Sequence, residues 1–148
     1  MSNLSVSSIT GPITQKGAVR QPGAILFMAR PTNDYSAGSM PTGVIPMTVQ
    51  IDTAAAFNSG TNAFVAPVVG YYRVTWGGLQ LNATVTSLML NGLRTYSGNH
   101  ILGTSFSYGT VTQTVIVQRN VGDTLQIEGW NGGGYYRDWY EWTVEFIG

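Results

Sequence analysis

Residues 71–81 read YYRVTWGGLQL, and their side chains alternate. In an extended strand Tyr72, Val74 and Trp76 share one face, and Tyr71, Arg73 and Thr75 share the other. This period of two recurs in short runs along the chain and most constrains its fold. Ala24 to Ala29 is an apolar run closed by Arg30-Pro31. After a loop, Thr32 to Gly43, a strand is predicted from Val44 to Ile51, with Pro46 marking an edge or a bulge. Ser87 to Leu90 leads into Asn91-Gly92, the strongest short hairpin signal in the sequence. Thr110 to Gln118 is β-branched and alternating, Asn120 to Asp123 reads as a turn, and strands follow at Thr124 to Glu128 and Trp139 to Ile147. Thr53 to Phe57 is predicted as one helical turn, since its three alanines are too few for a stable helix. No segment sustains a helical period. The pattern predicts an all-β fold, a β-sandwich or a jelly roll.

The 148 residues suit one domain with a real core. Only 9% are charged, far below the usual ~25%, so Ser, Thr, Asn, Gln and Gly must supply the polar surface. Seven basic residues balance seven acidic ones, which leaves no basic stripe for nucleic acid. Cysteine is absent, which excludes disulfides and thiolate metal sites. The start shows no charged segment followed by an apolar one, as a signal peptide would. No apolar run approaches the ~20 residues of a membrane helix. Synthesis in a host cytoplasm, without membrane insertion, is the expectation. Residues 1–22 are rich in Ser, Thr, Gly and Pro, with isolated apolar positions. They read as an extended arm spanning up to roughly 70–80 Å, enough to lie in a groove on another protein. Residues 23–148 then form the head.

Within that head, residues 57–74, FNSGTNAFVAPVVGYYRV, carry an ordered set of aromatic and turn residues. Phe57, Asn58, Gly60, Phe64, Pro67, Gly70 and Tyr72 resemble the signature of the globular-head family shared by complement-type and tumour-necrosis-factor-like proteins. Asn62-Ala63 stands where that family usually places Gly before the aromatic. Phe27 to Arg30, Leu88 to Gly92, Val115 to Leu125 and Trp142 to Ile147 resemble its other strands in the same order, over about residues 24–147. The resemblance implies a two-sheet antiparallel jelly-roll sandwich that assembles as a homotrimer around a threefold axis. Five Phe, eight Tyr and four Trp are many aromatics for a small core, and a subunit interface would absorb some of them.

Catalytic chemistry finds little support. His100 is the only histidine and sits in a loop-like GNHI, away from any triad pattern. Glu141 and Glu145 share a strand face, but four residues separate them by ~13 Å, beyond the ~5–9.5 Å of glycosidase pairs. Asp34, Asp52, Asp123 and Asp138 lack EF-hand spacing and read as turn residues. Gly132 to Gly134 lacks the Gly-Lys-Ser/Thr that a phosphate loop needs. Neither a cofactor nor a metal is expected, and the chain does not read as an enzyme.

The densest candidate is Trp130 to Trp142, WNGGGYYRDWYEW. Period two turns Tyr140, Trp142, Val144 and Phe146 to the core, and Trp139, Glu141, Thr143 and Glu145 outward. Trp130, Tyr135, Tyr136 and Trp139 are then candidates for exposure, as a glycan- or receptor-binding patch or as trimer packing. The expected function is a structural virion protein of a bacteriophage. It would be a trimeric capsid decoration or fibre-tip knob held to a larger capsid or tail protein by residues 1–22. The alternative is an adhesin that binds a host-surface glycan through the aromatic loop 130–142.

Overall fold

The computed structural model describes residues 25–36, 38–81, 84–99, 108–130 and 133–148. The arm at 1–22, His100 and Gly132 lie outside the described residues. Eleven strands are assigned, and none of the described residues is helical. One sheet contains β1 (Leu26–Pro31), β3 (Met47–Asp52), β6 (Gly70–Leu81), β9 (Tyr108–Arg119) and β11 (Gly134–Phe146), in the order β3-β1-β11-β6-β9. The other contains β4 (Phe57–Asn58), β5 (Ala63–Val65), β7 (Val85–Leu90), β8 (Leu93–Asn99) and β10 (Thr124–Gly129), in the order β4-β5-β10-β7-β8. The short β2 (Gly43–Val44) also pairs with β10. All pairings are antiparallel, as a two-sheet jelly roll requires.

The predicted alternation holds on the central strands. Tyr72, Val74 and Trp76 of β6 are buried, as are Tyr140, Trp142, Val144 and Phe146 of β11. They meet Phe64, Leu88, Leu125 and Ile127 from the opposite sheet. Each such side chain withdrawn from water contributes about 1.5–3 kcal/mol. Phe27 of β1 is a hub, with ring centroids 4.8 Å from Trp142, 5.3 Å from Phe57 and 5.5 Å from Phe64.

The 57–74 segment shows why its residue types recur together. Phe64 and Tyr72 fill the core, and Tyr72 donates its hydroxyl to the Val68 carbonyl at 2.7 Å. A side chain at Gly70 would strike the Phe146 ring and the Gly148 backbone. Asn62 takes a φ of 53°, which Asn tolerates better than most residues, and its Oδ1 accepts from Met47 N–H at 2.9 Å. Asn91 and Gly92, with φ of 51° and 76°, turn β7 into β8 as a hairpin.

Two local expectations are corrected. Thr53 to Phe57 forms no helical turn. The Asp52 carboxylate accepts the Ala56 and Phe57 N–H groups at 3.0 and 2.9 Å, and the chain enters β4 directly. The predicted 44–51 strand is split between β2 and β3, because Pro46 lacks the N–H that would continue the ladder. Ile25 and Gly148 lie at one end of the sandwich, where Phe146 N–H reaches Ile25 O at 3.0 Å and Tyr71 N–H reaches Gly148 O at 2.6 Å. That end is called the base below.

Candidate functional site

The outer face of the five-stranded sheet carries several exposed apolar side chains. Opposite the core-facing residues, register aligns Leu26, Glu145, Arg73 and Ile116 in one row across four strands. The next row holds Ile51, Met28, Thr143, Thr75 and Thr114. Thr75 and Thr114 hydroxyls bond at 2.8 Å. Leu26, Ile51, Tyr71 and Ile116 are all exposed here, Ile116 at 57%. Arg73 pairs with Glu145 at 3.0 Å and Arg30 with Glu141 at 2.7 Å, so the charges on this face are matched. Glu141 and Glu145 thus serve cross-strand pairing. Exposed pairs of this kind add well under about 1 kcal/mol each, but they leave the face electrically neutral.

Farther from the base the face opens into a trough. In the β11–β6 register Tyr135 pairs with Gln80 and Tyr140 with Gly78, so residues 136–139 stand against Leu79 alone. The excess residues bulge outward and present Trp139 at 69% exposure. Gly77 and Gly78, with φ of 134° and 151°, make this possible. A Cβ on Gly77 would overlap the Val111 carbonyl, and one on Gly78 the Trp139 carbonyl. Two glycines inside a strand were the available signal for this close approach, and strand periodicity alone passes over it. The trough is lined by Thr110 and Thr112 of β9, Asp138 and Trp139 of the bulge, and Glu141 and Thr143 of β11. Asp34 anchors the bulge by accepting Arg137 N–H at 2.7 Å. Thr84 secures the start of β11 by accepting Gly134 N–H at 2.9 Å.

The four aromatics singled out from sequence do not form one patch. Trp139 lies on the five-stranded face. Tyr136 stacks on Tyr108 with centroids 6.4 Å apart, and the neighbouring Tyr108 hydroxyl raises its pKa above the ordinary tyrosine value. Trp130 follows β10 of the other sheet, its backbone N–H donating to Val85 O at 3.1 Å. The Arg94 guanidinium covers its ring at 3.8 Å and donates from Nε to Glu128 at 2.8 Å. Tyr135, expected at the surface, is fully buried. It bridges Tyr35 by reciprocal backbone bonds of 3.0 Å, and its ring packs on Tyr140 at 5.2 Å. Burial pushes both the Tyr135 and Tyr140 hydroxyls upward in pKa. Alternation carries Tyr135 inward before the bulge shifts register, which accounts for the correction.

The candidate metal aspartates are dispersed. Asp52 and Asp34 accept backbone N–H groups, Asp138 lies 3.8 Å from Arg137, and Asp123 accepts Asn120 N–H at 2.8 Å. Among the described residues no three His, Asp or Glu side chains gather as a metal would require.

No family model and no curated protein matches the sequence. The fold is similar to a solved structure described as the globular domain of zebrafish complement 1qA protein. The match has a TM-score of 0.58 and 15% identity, and spans 83% of this chain and 96% of that one. The chain has the jelly-roll fold of a complement-type globular head.

Proposed function

We propose that this chain is the non-catalytic head of a homotrimer, assembled through the base half of the outer face of its five-stranded sheet. The observation that carries the reading is that face, with Leu26, Ile51, Tyr71 and Ile116 exposed among charge-matched pairs and threonines. Between the base and the trough, five strands about 4.8 Å apart over roughly six residues of rise give a patch of about 24 by 20 Å. Head-to-tail contacts of this kind close into rings. The similarity to a complement-type head supports the same arrangement. Light scattering at micromolar concentration tests it. A trimer mass is expected, and a monomer mass overturns it.

In the finer form of this reading, residues 1–22 join the head to a virus particle as a capsid decoration or fibre tip. Support comes from the 9% charged composition, the absence of cysteine and the Ser/Thr/Gly-rich start. Deleting residues 1–22 should abolish incorporation into the particle while the head still folds. Normal incorporation of the truncated chain overturns the attachment role.

A further inference from the structure

We propose that the trough beside Trp139 binds a neutral saccharide, with a pyranose ring stacked on the exposed indole. Three observations on its lining converge on that chemistry.

First, the trough is built by the backbone. The 136–139 bulge and the paired glycines Gly77 and Gly78 together hold an indole in water at 69% exposure. Burying such a ring would contribute a few kcal/mol, so leaving it exposed forgoes stability. Bulges of this kind re-aim side chains near binding sites. The side-chain-free floor leaves about 350 Å³ beside the ring, within the range of small-ligand sites.

Second, the trough carries no unbalanced charge. Glu141 is paired with Arg30 at 2.7 Å, and Asp138 lies 3.8 Å from Arg137. A cationic or anionic ligand would find its counter-charge already matched. The carboxylates retain lone pairs for hydroxyl donors.

Third, the walls offer hydroxyls. Thr110, Thr112 and Thr143 line the trough, and their side chains make no hydrogen bond within the described residues. A pyranose has an apolar C–H face for the indole and a rim of hydroxyls for these groups. An aromatic surface with a few placed polar groups suits such a ligand.

The site lies along β6 from the base, roughly 25 Å from Gly70 at the standard strand rise. It is complete within one chain and does not depend on trimerisation. Three copies in a trimer would raise avidity for a repeating polysaccharide.

The test uses the full chain and an array of neutral gluco-, galacto-, manno- and N-acetylhexosamine oligosaccharides, followed by isothermal titration calorimetry of each hit. Wild type and Trp130→Ala should bind the same sugar. Trp139→Ala and Thr112→Val should each weaken binding at least about tenfold. All four proteins should have the same mass in solution. The proposal fails if no sugar binds below about 10 mM, or if Trp139→Ala binds as wild type does. It also fails if Trp139→Ala alters the oligomeric mass, since the indole is then a subunit anchor. An Ile116→Arg monomer that still binds separates this site from the trimer reading.

Discussion

Gly78 lies so near the backbone carbonyl of Trp139 that no Cβ fits between β6 and β11. Its φ of 151° adds a second barrier to any side chain. Both features set the bulge that displays the indole. Gly78→Ala should therefore destabilise the head by more than about 3 kcal/mol. Urea unfolding followed by tryptophan fluorescence measures this. A variant as stable as wild type would refute the close approach.

Ile116 sits at the β9 end of the row formed by Leu26, Glu145 and Arg73. Being exposed at 57% in one subunit, it can accept a charge without disturbing the core. In an assembled face the same charge would be desolvated without a partner. Ile116→Arg should leave the circular dichroism unchanged and reduce the mass to that of one 15.9 kDa chain in sedimentation velocity. A trimer that survives this substitution places the interface elsewhere.

Asp123 joins two turns. Its carboxylate accepts Asn120 N–H at 2.8 Å and the Asn91 side-chain amide at 3.0 Å, while Asn91 Oδ1 accepts Thr124 N–H at 2.7 Å. The Asn120 bond, then the Asn91 bond, hold the Asp123 pKa below its usual 3.8. A depressed folded-state pKa stabilises the fold fully above the unfolded value. This contribution declines as pH falls from about that value through the folded pKa. The stability advantage of wild type over Asp123→Asn should thus be constant near neutrality and shrink below pH 3.8. Parallel urea titrations across pH check the sign, and an advantage that grows on acidification contradicts it.

The long central strands were legible because their alternation matches a sheet buried on one face. Tyr72, Val74 and Trp76 against Tyr71, Arg73 and Thr75 is such a pattern, and Asn91-Gly92 fixed the hairpin beside it. Thr53 to Phe57 was not legible, because its outcome depends on the Asp52 carboxylate meeting two backbone donors. The candidate site was read in part. Period two turns Trp139 outward, and its side chain is exposed. Tyr135 was misplaced because the bulge breaks the period between them. Thr110 and Thr112 join the trough only through the β6–β9 register, which pairs Thr112 with Gly77. Such long-range pairing leaves no local mark in either strand.

Trp130 and Trp142 lie twelve positions apart in one aromatic segment, yet packing gives them opposite weights. Trp142 is fully buried, edge-on to Phe27 at 4.8 Å and near Phe57 at 6.4 Å. Truncation to alanine there leaves a cavity among rings that cannot collapse, and should cost about 3–5 kcal/mol. Trp130 is held on the outside of the six-stranded sheet mainly by Arg94, a contact worth about 0.5–1 kcal/mol at an exposed site. Trp130→Ala should therefore cost no more than about 1–2 kcal/mol. Chemical denaturation of the two variants side by side, followed by far-ultraviolet circular dichroism, gives the ranking without relying on the deleted fluorophores. Equal losses would mean that Trp130 packs as a core residue, and would contradict its place on the outer face.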